Sequence, residues 1–240
     1  MARPQVPEVR RSIVERAAAL LRAREQITLR SLVAGADVST MAVYTYFGGV
    51  DGVWRAVRQE GFTRLAAKLA AVPETRDPVA DLTAQLSAYA QHALDDPDLY
   101  RVMFDATADL DDTQAADATL ERIVEVVRRC RDRKRFRDEV DPLEFATQCW
   151  MLCHGIVSLI AIGPLAIEQL DHAPAMLHAQ FVGAGDHPDA CHASIANGWV
   201  SLAARTVRSS GGDSTNAVDG PSKQPRPRDI ARVCPHLVYS

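Results

Sequence analysis

Wherever the apolar residues of this chain fall into a period, that period is three to four. Ile13, Val14, Ala17, Leu20 and Leu21 form one stripe, Leu82, Leu86, Tyr89 and Leu94 a second, and Leu120, Ile123, Val124 and Val127 a third. This spacing puts apolar side chains on one face of an α-helix, and no segment shows the alternation of a half-buried strand. The chain is therefore expected to be all-α, a set of helices that bury their stripes against one another.

Local punctuation divides the pattern. Pro7 suits a first turn, so helix 1 is expected from Pro7 to Arg24. Thr28 can cap a short helix from Leu29 to Gly35, and Ser39 a third that ends near Phe47 at Gly48-Gly49. A longer helix follows from Asp51 to Ala71, with Pro73 beyond it. Next come the helix of Leu82 to Leu94, a short one over Leu99 to Phe104 started by Pro97, and the long one around Leu120 to Val127. The last three are expected from Asp141-Pro142 to Ile162, from Ala166 to Phe181, and from His187 to Arg208. Beyond Ser209 the chain is rich in Ser, Gly and Pro, so 209–240 is expected to be a disordered tail.

The stretch Ile27 to Trp54 carries the functional signal. Two short helices joined by a tight connection make a helix-turn-helix. Leu29, Leu32 and Val33 can pack on Val38, Val43 and Phe47, leaving Ser39, Thr40, Met41, Tyr44 and Thr45 outward. Hydroxyls reach base edges or phosphates, and Met41 or a threonine methyl can touch a thymine methyl. Ser39 is equally what any helix wants as its N-cap.

Here the chain resembles the TetR (tetracycline-repressor-like) family of bacterial transcription regulators. The residues are Leu32-Val33, Ala36-Asp37-Val38-Ser39 and Val43-Tyr44-Thr45-Tyr46-Phe47. The resemblance implies that Thr28 and Tyr44 contact phosphate, that Thr40, Met41 and Thr45 face the major groove, and that Val43, Phe47 and Tyr46 pack. Asp37 stands where the family usually has Gly, and Val50-Asp51 where it commonly has Lys followed by Glu. Arg3, Arg10, Arg11 and Arg30 are candidates to replace the missing charge, or are solvated surface arginines. Arg135-Phe136-Arg137, Asp141-Pro142 and the run Trp150 to Leu159, with His154-Gly155, resemble the Trp-His-Gly type of C-terminal domain in the same family. That resemblance implies a homodimer built on a four-helix interface.

The run Phe145 to Ile167 has no Asp, Glu, Lys or Arg, long enough to span a bilayer of roughly 30 Å. Gln148, His154, Gly163-Pro164 and the flanking Glu144 and Glu168 argue instead for burial, here against a second subunit. No secretory signal is expected, since the longest early apolar stretch, Ala17 to Leu21, sits between Arg16 and Arg22. Cysteines at 130, 149, 153, 191 and 234 are odd in number and suit a reducing compartment, the cytoplasm.

Other constellations point elsewhere or nowhere. Cys149, Cys153 and His154, with Cys191-His192 and His187, are candidates for a metal or thiol sensor, or are buried core residues. The charge run Arg128, Arg129, Arg131, Arg133, Lys134, Arg135 and Arg137 reads as a solvated helix end. The acidic segment Asp109, Asp111 and Asp112 reads as a capping loop, and no phosphate loop, zinc-protease or nucleophile-elbow motif supports an enzyme. Tyr89, Met103, Phe104, Trp150, Met151 and His154 are candidates to line an effector pocket, although such a stripe equally makes plain core. No metal or cofactor is expected.

The formal net charge of −4 conceals a division. Residues 1–71 hold 11 Lys+Arg against 6 Asp+Glu, and residues 72–240 hold 16 against 25. A basic module on an acidic body places attraction for phosphate beside the helix-turn-helix. The expected organisation is a DNA-binding domain over 1–50, a linking helix over 51–71, and a helical ligand-binding and dimerisation domain over 72–208. The expected function is a transcriptional regulator, a repressor. It binds a near-palindromic operator on double-stranded DNA as a homodimer and is released by a small-molecule effector. The alternative is a helical small-molecule or thiol/metal sensor with weakened DNA binding.

Overall fold

The stripes assemble as helices. A computed structural model of the chain describes residues 6–34, 38–104, 113–161 and 163–200, and every regular element among them is helical. In chain order these are α1 (Val6–Arg22), α2 (Leu29–Val33), α3 (Thr40–Phe47), α4 (Val50–Ala70), α5 (Pro78–Asp95), α6 (Pro97–Met103), α7 (Gln114–Asp132) and α8 (Pro142–Ala161). A 3-10 turn (Ile167–His172) leads to α9 (Ala173–Gly183) and α10 (Pro188–Gly198). Arg3, the Gly35 to Asp37 turn, Asp109, Asp111 and Asp112, Cys234 and the 209–240 tail lie outside the described residues.

Two expected helices are revised. The single helix from Ala166 to Phe181 is a 3-10 turn followed by α9, because Pro174 has no N–H to donate and is tolerated only in a first turn. The last helix was expected to reach Arg208 but ends at Gly198. Trp199 is extended, and the Val200 N–H leaves the helix ladder to donate to Ser87 Oγ at 3.1 Å; residues 201–208 lie outside the described set.

Two apolar cores share α4 and α6. Ile13, Ala17, Leu20, Leu32, Val43, Phe47, Val53 and Val57 build the N-terminal core. Phe62, Leu65 and Leu69, further along α4, join the larger C-terminal core with residues of α5, α7, α8, α9 and α10. Within α6, Leu99 and Val102 belong to the first core and Tyr100 and Met103 to the second. Gly61 lets α4 and α6 approach, since a Cβ there would lie 2.4 Å from Met103 Cγ. Polar ties run alongside: Arg58 Nε donates to the Met103 carbonyl at 2.8 Å, and Arg22 pairs with the α6 N-cap Asp96 at 3.1 Å.

The run of basic residues in the last turns of α7 and just beyond it is not simply a solvated helix end. Arg128 and Lys134 pair outward with Glu121, Glu125 and Asp138, but two arginines turn inward. Arg129 pairs with buried Asp81 at 2.9 Å. Arg135 grips both oxygens of buried Asp186 at 2.6 and 2.9 Å and donates to Asp77 and Ser194 at 2.9 Å each. Its planar fork thereby ties the α5 N-cap to α10.

α8 is long and apolar enough to cross a membrane by length and composition. Here one face, Phe145, Ala146, Cys149, Cys153 and Val157, is buried against the bundle. Away from that face lie Met151 and Leu159, exposed at 56 and 48%, while Leu143, exposed at 55%, stands on the side of Trp150.

Candidate nucleic-acid interface and internal cavity

Local chemistry sets the geometry of α2 and α3. Thr28 Oγ1 accepts the Ser31 N–H at 3.1 Å while Ser31 Oγ accepts the Thr28 N–H at 2.9 Å, a reciprocal capping box. Ser39 Oγ accepts the Ala42 N–H at 3.2 Å, so Ser39 does serve as a cap. Gly48, at φ 72, closes α3 in the left-handed conformation that glycine adopts without penalty. With Leu32, Val43 and Phe47 buried behind them, Thr28, Arg30, Ser39, Thr40, Met41, Tyr44 and Thr45 are all exposed. Thr40, Met41, Tyr44 and Thr45 share one face of α3, and Tyr46 packs half-buried on the core.

The charges around this surface divide by role. Arg10 is a packing residue: its guanidinium lies 4.8 Å over the Phe47 ring and donates to the Tyr46 carbonyl at 2.9 Å. Arg11 lies 3.7 Å from Glu15, both well exposed, and Arg30 is exposed on α2. Val50 is half-buried against the N-terminal core, which explains physically why an apolar residue opens α4.

A cavity of about 390 Å³ opens within the C-terminal bundle. Phe62 and Leu65 of α4, Tyr89 of α5, Phe104, Leu120 of α7 and Trp150 of α8 form its apolar wall. Asp117 and Glu121 are the ionisable groups among its lining residues other than Tyr89, and among the described residues no Lys, Arg or His lines it. Of the residues that the sequence offers for an effector pocket, Tyr89, Phe104 and Trp150 line this cavity. Met103 does not line it, being buried between Gly61 and His92. Met151 points away on the exposed side of α8. Phe62, Leu65 and Leu120 were legible only as core stripes, since nothing local marks which stripes leave a gap.

Behind the cavity wall lies a polar cluster. Tyr100 Oη is 2.6 Å from His154 Nδ1, and Tyr89 Oη is 2.8 Å from Tyr100 Oη and 3.0 Å from His154 Nδ1. Trp150 Nε1 donates to Tyr89 Oη at 3.1 Å. Burial holds His154 below the ordinary histidine range and pushes Tyr100 up to about 12 and Tyr89 higher still, so the imidazole is neutral and both phenols keep their protons. The protons run from Trp150 to Tyr89, from Tyr89 to Tyr100 and from Tyr100 to His154 Nδ1, the shortest contact, which leaves the 3.0 Å approach of Tyr89 to Nδ1 without a proton of its own. Tyr100 is the member the sequence reading missed.

The cysteines offer little chemistry. Cys149 and Cys153 are buried, and burial pushes both thiols up, Cys153 to about 12, so neither is a thiolate near neutrality. Among the described residues, no three His, Cys, Asp or Glu side chains converge as metal ligands.

Comparison with known proteins agrees with this architecture. Residues 82–184 match the family described as tetracyclin repressor-like, C-terminal domain, a span that contains Trp150 and His154-Gly155. No match was found among curated proteins. The TetR family regulator PfmR from Thermus thermophilus has a similar structure, with a TM-score of 0.57 at 20% identity over 71% of this chain and 97% of that one. A regulatory protein of the tetR family from Rhodococcus RHA1 gives 0.58 at 16% identity, over 75% and 98%. RolR in complex with resorcinol gives 0.58 at 15% identity, over 82% and 97%. The all-helical chain thus joins an exposed helix-turn-helix to a bundle whose residues 82–184 match the C-terminal domain of tetracyclin repressor-like proteins, and its fold is that of the solved TetR-family regulators.

Proposed function

We propose that this protein is a cytoplasmic, homodimeric repressor that binds a near-palindromic operator and leaves it when a small molecule occupies the internal cavity. The observation that carries this reading is the position of α6. Leu99 and Val102 pack in the core beneath the helix-turn-helix, while Tyr100 and Met103 pack in the C-terminal core and the adjoining Phe104 lines the cavity. A ligand that moves Phe104 or Tyr100 therefore acts on the support of α3. DNA and effector then oppose each other through one reciprocal coupling free energy.

Each protomer lays α3 in a major groove, with Thr28 and Tyr44 on phosphates and Thr40, Met41 and Thr45 toward the bases. Half-sites then lie about 34 Å apart or a multiple of that. The exposed apolar side of α8, with Met151 and Leu159, supports self-association. The cavity's aromatic wall, with no basic residue among its described lining, favours a small aromatic effector that is not an anion. Resorcinol, the ligand of the similarly folded RolR, is of that kind.

Titration of the purified chain against the promoter region beside its own gene, at several salt concentrations, tests the reading. Sequence-selective binding that weakens steeply with salt is expected. A flat salt response without sequence preference overturns it in favour of a helical sensor, the alternative that Val50 in place of a phosphate-binding lysine brings forward.

A further inference from the structure

The outward face of α3 is distinctive for the side chains it lacks. Its eight residues, TMAVYTYF, include no Arg, Lys, Asn, Gln, Asp or Glu. Those are the side chains that read base edges by paired or charge-assisted hydrogen bonds: Arg or Lys on guanine, Asn or Gln on adenine, Asp or Glu on cytosine. Thr40, Met41, Tyr44 and Thr45 remain, and Met41, at 70%, is the most exposed large apolar side chain among the described residues. A lone exposed methionine is ordinary on a protein surface. This one is the second residue of the helix, with Thr45 one turn along the same face. Buried Val43 and Phe47 fix the roll of the helix, so Met41 has no route inward.

A flexible, polarisable thioether and a threonine methyl are suited to one feature of the major groove. Thymine is the base that displays a methyl group there. We propose that α3 reads its operator through thymine C5-methyl groups, with Met41 as the principal specificity residue and Thr45 beside it, so that the base pairs beneath the helix are A·T. The Thr40 and Tyr44 hydroxyls take phosphate oxygens or single base acceptors, contacts that position the helix more than they discriminate. The proposal rests on the DNA-binding reading of this helix and adds the chemistry of what it reads. Burying one methyl changes affinity by a factor of roughly four. Selectivity per base is therefore modest and accumulates over several thymines and two half-sites.

Selection of duplexes from a randomised library by the full chain, followed by replacement of each selected thymine with deoxyuridine, tests this. Deoxyuridine removes the methyl and nothing else. The expected result is thymine at the positions beneath α3, a loss of roughly fourfold per critical methyl, and no such loss in Met41→Ala. Met41 lies on the surface, so an unchanged thermal melt verifies that the variant is folded. Conserved guanine or cytosine beneath α3, or uracil bound as well as thymine, overturns the proposal and leaves DNA binding itself standing. If no sequence is enriched at all, the DNA-binding reading fails and the proposal fails with it.

Discussion

Tyr100 Oη lies 2.6 Å from Nδ1 of His154, so a hydroxyl on the helix shared by both cores fixes the imidazole of α8. Replacing Tyr100 with Phe removes the proton that His154 accepts, and Tyr89 Oη, 3.0 Å from Nδ1, is left to donate there instead. Chemical denaturation is expected to show a loss of about 0.5–1.5 kcal/mol, the net worth of one hydrogen bond rather than of a stranded polar group. Nitrogen NMR is expected to find His154 protonated at Nε2 and bare at Nδ1 in both proteins.

Filling the cavity from its own wall should imitate an occupant. Ala116 lines the cavity from α7, and Ala116→Phe places a ring in its volume. Nile red, a neutral apolar dye, is expected to fluoresce strongly with the wild type and weakly with the variant, and operator affinity is expected to fall, because the ring shares the cavity with Phe104 and acts on α6 as an effector would.

Arg135 serves Asp186, Asp77 and Ser194 together. Truncation to Ala strands the Asp186 carboxylate, which is almost wholly buried, and is expected to cost about 3–5 kcal/mol by urea denaturation. Arg135→Lys is expected to recover only part of this, since a single ammonium cannot reproduce the bidentate fork.

Acid should destabilise the fold through His92. Burial, reinforced by the nearby positive charges of Lys68 and Arg64 and opposed by Asp95 and Asp96, lowers it from 6.5 to about 4. The unfolded chain then takes up a proton as pH falls through 6.5, and the folded chain refuses it until about 4. Stability is present above this window and is lost within it as pH falls. Thermal melts at stepped pH should show the slope, and His92→Gln should flatten it. Asp77 adds a loss at lower pH still. Burial would raise its carboxyl, but the Ser194 hydroxyl, two backbone N–H groups and Arg135 hold it below 3.8 on balance.

The exposed side of α8 is expected to bury itself in the proposed homodimer. Met151→Glu together with Leu159→Glu places two charges on that surface and should shift sedimentation equilibrium toward monomer and weaken operator binding. An unchanged mass would exclude this face as the interface.

What the sequence made legible was whatever is decided locally. Ser39 and Gly48 bound α3 by chemistry that operates within a few residues, and the phase of Val43 and Phe47 determines which side chains face out. What it could not show was phase between distant helices. Met103 and Met151 look alike in sequence, yet one is locked behind Gly61 and the other faces outward, because neighbours on α4 decide the first and the roll of α8 decides the second. Arg135 read as a solvated charge because its partner, Asp186, stands 51 residues away. The cavity was hidden for the same reason: a gap belongs to no single helix.

The divided loyalty of α6 also governs how such a protein can be recombined. A chimera that exchanges residues 1–71 with those of a relative would seat foreign α1 and α4 surfaces on a resident Leu99 and Val102. The grafted head would meet a mismatched floor. The exchangeable unit is therefore the head plus the outward half of α6, and drift in that half has to keep pace with two sets of neighbours at once.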